Sequence, residues 1–162
     1  MVQPAMPAPS ATDLEAHARA AVDRIVDRCV HDDTAGARAV YAELAHLAAA
    51  HPELPQLRLW QSWGGFRLVS GHIEPPAAAD ARSVIDDLAS LAASHPAEPV
   101  LRELLARALA HQVQNRLQGK DVASAEAAHA ELEALAAAHP REAKLQEELS
   151  HSAEALRLKD FF

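Results

Sequence analysis

The tightest constraint in this sequence is a repeat. LAAAHP ends at Pro52, LAASHP at Pro96 and LAAAHP at Pro140, an interval of 44 residues both times. The register extends upstream, where Ala37, Ala81 and Ala125 align, as do Leu44, Leu88 and Leu132, and Leu47, Leu91 and Leu135. Downstream it carries Leu57, Leu101 and Leu145, then Val69 with Val113 and Ile73 with Leu117. A fixed period of this size means stacked copies of one supersecondary unit, each too small to bury its apolar face alone.

Each unit reads as two helices. Between Leu101 and Leu117 the apolar residues are Leu101, Leu104, Leu105, Ala108, Leu109, Val113 and Leu117, an i, i+3, i+4 stripe rather than the alternation of a strand. Gly119 ends this helix and Asp121 caps the next, whose stripe is Ala125, Ala128, Leu132, Leu135 and Ala136. His139-Pro140 stops that one, because a residue before proline is pushed out of the α region. Pro55 and Pro99 stand where a following helix starts, a position that tolerates a missing N–H. With 38 Ala among 162 residues and only 4% aromatics, the core is built from Ala and Leu, which suits close-packed helices.

The spacing therefore predicts an all-α chain of seven helices, near 12–30, 34–50, 54–72, 77–94, 98–118, 122–138 and 141–159. Thr12-x-x-Glu15 has the pattern of a capping box at the first of them. Residues 1–11, rich in Pro and Ala, read as a flexible lead-in to a single domain over 12–162. Its repeats run over 12–52, 53–96 and 97–140, and 141–162 forms a capping helix without a partner.

The order of helix, Gly119-Lys120-Asp121 turn, Ala-rich helix and proline resembles a tetratricopeptide repeat, and Trp60-x-x-Trp63-Gly64 is similar to the opening of that family's motif. The resemblance spans nearly the whole chain as three antiparallel helix pairs plus a cap. The period is longer than the family's, about 34 residues, and only one copy carries the Trp and Gly residues, so the chain is tetratricopeptide-like. The resemblance implies an α-solenoid that binds proteins or peptides along the inner face of its first helices. It also brings to mind the small acidic secretion chaperones of bacteria, an analogy of fold alone.

Projection at 100° per residue places Glu103, Arg107, Ala110 and Gln114 opposite the apolar stripe of the fifth helix. The equivalent columns hold Leu59, Trp63, Phe66 and Ser70 in the third helix and Glu15, Arg19, Val22 and Val26 in the first. The N-terminal half thus offers Val22, Val26, Leu59, Trp63 and Phe66 where the C-terminal half is polar, with Arg67, Arg107 and His111 as a ridge beside them. One reading is a contact surface for another protein, a peptide or a second copy of the chain, since Trp is enriched at interface hot spots. The other is core: Trp63 fills space left by Gly64 and Gly65, and an inner helix is covered from both sides. Two mid-helix glycines cost about 1 kcal/mol each relative to Ala, which close helix packing explains better than a bend.

Other classes find little support. Glu43-x-x-His46, Glu126-x-x-His129 and Glu148-x-x-His151 have the spacing of helical di-iron ligands, but they occupy different columns and do not converge. They keep a metal-binding helical protein as a third alternative, with no metal or cofactor expected. His51, His95 and His139 each end a helix, where a ring N–H suits unpaired carbonyls. No phosphate loop, G-x-S-x-G or His-Glu-x-x-His motif is present, and Cys29 falls on the apolar stripe as a buried thiol. Paired acids such as Asp32-Asp33 read as helix-start or solvated charges. No enzyme is expected. Net charge of −8 with 15 scattered Lys and Arg argues against nucleic acid, and no apolar run is long enough for a membrane. A cytoplasmic protein is the expectation.

Overall fold

The computed structural model describes residues 9–71 and 78–159, all seven elements of which are helices. They are α1 (Ala11–Val30), α2 (Thr34–Ala50), α3 (Pro55–Ser70), α4 (Ala78–Ser94), α5 (Pro99–Gln118), α6 (Val122–Ala138) and α7 (Ala143–Arg157). Ile73, Phe161, Phe162 and residues 1–8 of the lead-in lie outside the described residues.

The boundaries follow from local chemistry, with two differences from the sequence expectation. The capping box at α1 is formed by Ser10, not Thr12. Ser10 Oγ accepts from the Asp13 N–H at 3.2 Å, and the Asp13 carboxylate accepts from the Ser10 N–H at 3.0 Å. Both Ser10-x-x-Asp13 and Thr12-x-x-Glu15 fit the pattern, and the earlier pair takes Thr12 into the first turn. At the end of α5 the left-handed residue is Lys120 (φ 59°), whereas Gly119 stays right-handed at φ −77°. Lys120 N–H donates to Leu117 O and Asp121 N–H to Arg116 O, a Schellman closure. Asp32 (φ 56°) makes the same closure after α1, with Asp33 N–H donating to Arg28 O. Asp33 and Asp121 then cap α2 and α6 by accepting from Gly36 and Ser124 N–H. Pro55 and Pro99 open α3 and α5 as expected.

Packing has one order throughout. α1, α3, α5 and α7 contact each other in succession, while α2, α4 and α6 each lie against the helix before and the helix after them. The larger of two core clusters draws on all seven helices, including Ile25, Leu44, Leu57, Ile85, Leu88, Leu101, Leu132 and Leu145, and a smaller one joins Val113, Leu117, Ala125, Ala128 and Ala155. Gly64 and Gly65 let α3 into this arrangement from two sides. A Cβ at Gly64 would stand 3.1 Å from both Ile25 Cδ1 and Leu44 Cδ2. One at Gly65 would stand 3.1 Å from Leu88 Cδ2 and 3.2 Å from Tyr41 Cε2 and Val84 Cγ1. Close approach, not a bend, is what these glycines serve.

An ionic device ties successive units together. Arg58 donates to Pro52 O at 2.7 Å and to Glu98 at 2.7 Å. In the next unit Arg102 donates to Pro96 O at 2.7 Å and to Glu142 at 2.6, 3.0 and 3.2 Å. Each arginine thus joins the turn before its own helix to the turn before the following odd-numbered helix. The equivalent positions in the first unit are Leu14 and Leu54, both packed on the core. The Arg102 guanidinium holds the Glu142 carboxyl below its usual range.

Candidate protein-interaction site

The columns projected from the sequence come together on α1, α3 and α5, but not all of their residues are exposed. Val22 and Phe66 retain only 8% and 9% of their surface and belong to the core. The reason is the succession of odd-numbered helices: α3 is flanked by both α1 and α5, so its buried arc is wider than a single stripe. Val22 additionally closes over the missing side chain of Gly64, whose Cβ would lie 3.7 Å from Val22 Cγ2. Leu59 and Trp63 are half-buried against the core. Val26 keeps 38% of its surface and Arg67 is exposed. Arg107 and His111 are half-buried.

Around Trp63 these side chains form a stacked group. The Phe66 ring meets Trp63 edge-on at 5.9 Å and His111 edge-on at 5.5 Å. The Arg67 guanidinium lies 5.8 Å from the centroids of both Trp63 and Phe66, within the range of cation–π attraction. Beyond His111 the face becomes ionic. Arg107 pairs with Glu148 at 3.5 Å, and His151 stands 4.0 Å from the same carboxylate. Burial pushes the His111 pKa below its ordinary value, and the charge of Glu148 works in the opposite direction. His111 therefore stands neutral at pH 7, as an edge for Phe66 rather than a cation.

The Glu-x-x-His pairs do not converge. Glu43 lies 3.7 Å from Arg24, Glu126 pairs with Lys159 at 3.2 Å and Glu148 serves Arg107. His129 Nδ1 contacts Ser152 Oγ at 2.7 Å. Among the described residues no group of three His, Cys, Asp or Glu is placed to hold a metal ion. His51, His95 and His139 do end their helices. The rings of His51 and His139 face Glu53 and Glu142, at 3.3 and 3.7 Å, instead of the terminal carbonyls. Cys29 is half-buried, and burial raises its pKa, which favours the thiol over the thiolate. No helix among the described residues is long and apolar enough to cross a membrane.

Sequence reasoning missed one further feature, a groove of about 520 Å³ between α4 and α6 with α5 as its floor. Leu105, Leu109, Ala92 and Leu135 line it, in the same Ala and Leu that build the core, so nothing in the pattern marked it. Its polar rim is already committed: Arg102 to Glu142, and Glu131 to Arg82. The paired arginines were missed too, although Arg58 and Arg102, like Glu98 and Glu142, keep the 44-residue register. No protein-family model matches this chain, and neither curated proteins nor solved structures provide a match.

Proposed function

We propose that this chain is a non-enzymatic interaction module, a tetratricopeptide-like solenoid of three antiparallel helix pairs capped by α7. It acts as a scaffold or small chaperone-like adaptor that holds a peptide or helix on the face of α1, α3 and α5. The contact order supports the solenoid, because each even-numbered helix packs on the two odd-numbered helices that flank it in sequence. One observation carries the functional reading: Trp63 remains half-buried at the surface while Arg67 stacks over it and over Phe66. A large aromatic held rigid by its neighbours and left partly open contributes contact area at little entropic cost. Val26 and Leu59 extend the apolar part of the surface, and Arg107 and His111 bound it.

The test is affinity capture from host lysate with the wild type and a Trp63→Ala, Arg67→Ala variant. Phe66 and Val22 are left intact because both are core. A protein retained by the wild type and lost by a variant of unchanged circular dichroism supports the reading. A wild type that captures nothing, or a variant that captures the same set, refutes it.

A further inference from the structure

The surface around Trp63 has a charge that no acid among the described residues answers. Among the described residues no carboxylate lies within 4.0 Å of the Arg67 guanidinium. Its neighbour on the same face, Arg107, is engaged by Glu148. Asp23 occupies the position on α1 equivalent to Arg67 and does not reach it. Arg19, at the α1 position equivalent to Trp63, is exposed and has no acid partner among the described residues. Arg67 is therefore a guanidinium beside the half-buried indole that no acid among the described residues answers, in a chain whose net charge is −8.

Stacking also restricts how Arg67 can be used. A guanidinium held against aromatic rings on one side keeps N–H donors on its open side, and those donors match a carboxylate. The rings exclude water from one side of the guanidinium, so an ion pair formed there is screened less than one in open solvent. A purely apolar partner would cover Arg67 without satisfying it, at the desolvation cost of an unpaired cation.

Building on the interaction-module reading above, we infer that the occupant of this face is an acidic-apolar peptide segment. It places an aliphatic or aromatic anchor against Trp63 and Leu59 and an Asp or Glu side chain on Arg67. The carboxylate is the discriminating contact: bulk apolar character brings a segment to the patch, and Arg67 selects among such segments by charge.

The experiment is a display selection of random 16-residue peptides on the immobilised full chain. Both peptide ends are embedded in linker so that only side-chain carboxylates are available. Wild type, Arg67→Glu and Arg141→Glu are selected in parallel, since Arg67 and Arg141 are both exposed and neither substitution disturbs the core. The expected result is peptides that combine Asp or Glu with apolar anchors for the wild type and for Arg141→Glu, and a switch to Lys or Arg for Arg67→Glu. A wild-type peptide synthesised afterwards should bind Arg67→Ala about tenfold more weakly. Enrichment without acidic bias, or an acidic bias that Arg67→Glu leaves unchanged, overturns this inference while the interaction module stands. Failure to enrich any peptide sinks both.

Discussion

The Arg102–Glu142 link allows a prediction whose sign and size both come from the structure. The Arg102 side chain is 9% exposed and that of Glu142 is 24% exposed. Glu142→Leu leaves a buried guanidinium with no anion, a change that costs about 3 kcal/mol. Arg102→Leu leaves a carboxylate that recovers hydration through its open side and a Pro96 carbonyl without its donor, together about 2 kcal/mol. The double variant Arg102→Leu, Glu142→Leu recreates the Leu14 and Leu54 arrangement of the first unit, which packs on the same core. It should fall within about 2 kcal/mol of wild type, giving a coupling energy of about 3 kcal/mol. Urea titrations followed by circular dichroism at constant m measure all four corners of the cycle. The wild-type pair also carries a pH signature, because Arg102 depresses the Glu142 pKa. Its stabilisation is present above the carboxyl's unfolded value and is lost as pH falls through the depressed folded value, a loss the double variant should not show. Additive single-variant costs, or Arg102→Leu proving the worse of the two, would refute the reasoning.

Three more outcomes follow from single positions. Gly65→Ala gains about 1 kcal/mol of helix propensity but meets three side chains at 3.1–3.2 Å. Overpacking of that kind costs about 1–3 kcal/mol, so thermal unfolding should show a lower Tm, and a higher Tm would mean that α3 is not wedged between α2 and α4. Lys120→Gly removes the cost of a left-handed non-glycine residue at φ 59°, and urea titration should report a gain of about 1 kcal/mol; a loss would deny the Schellman turn. His111 has a depressed pKa in the folded chain, so the unfolded state takes up its proton first as pH falls below the ordinary histidine value. Stability should drop from pH 7 toward pH 5 in the wild type and drop less in His111→Gln, as measured by the urea midpoint at each pH. An identical decline in both would remove His111 from the account.

How much of this was legible depended on whether a residue's role repeats. Leu44, Leu88 and Leu132 recur at one interval, and the structure buries all three. Pro55 and Pro99 act through their own backbone geometry and Asp121 through a local side-chain hydrogen bond, so their roles as helix openers and cap could be read directly. For Val22 and Phe66 two readings stood open, contact surface and core, and the burial of both residues decides for core. A one-helix projection gives a single buried stripe, whereas α3 has neighbours on both flanks, and the second flank is a property of the stack. The groove over α5 escaped for a related reason: it is a gap between α4 and α6, and no residue type encodes a gap.

Where the units differ is as informative as where they agree. Positions that hold helix to helix keep their chemistry down the register, or change as a pair, as Arg58–Glu98 and Arg102–Glu142 give way to Leu14 and Leu54. The outward column behaves otherwise. Arg19, Trp63, Arg107 and His151 occupy one equivalent position in four successive odd-numbered helices. Trp63 and Arg107 sit on helices flanked on both sides, yet Arg107 pairs with Glu148, as His151 does, while Trp63 lies beneath Arg67. A fold that needed only a solvated ridge would be served by Arg107-like residues at every step. Trp63 breaks that column, with Arg67 over its ring and unmatched by any acid among the described residues. The break gives this face a feature that the α5–α7 end lacks. The proposed interaction surface rests on that contrast, and Trp63→Arg, which makes α3 resemble α5 here, should abolish partner capture while circular dichroism shows the helices retained.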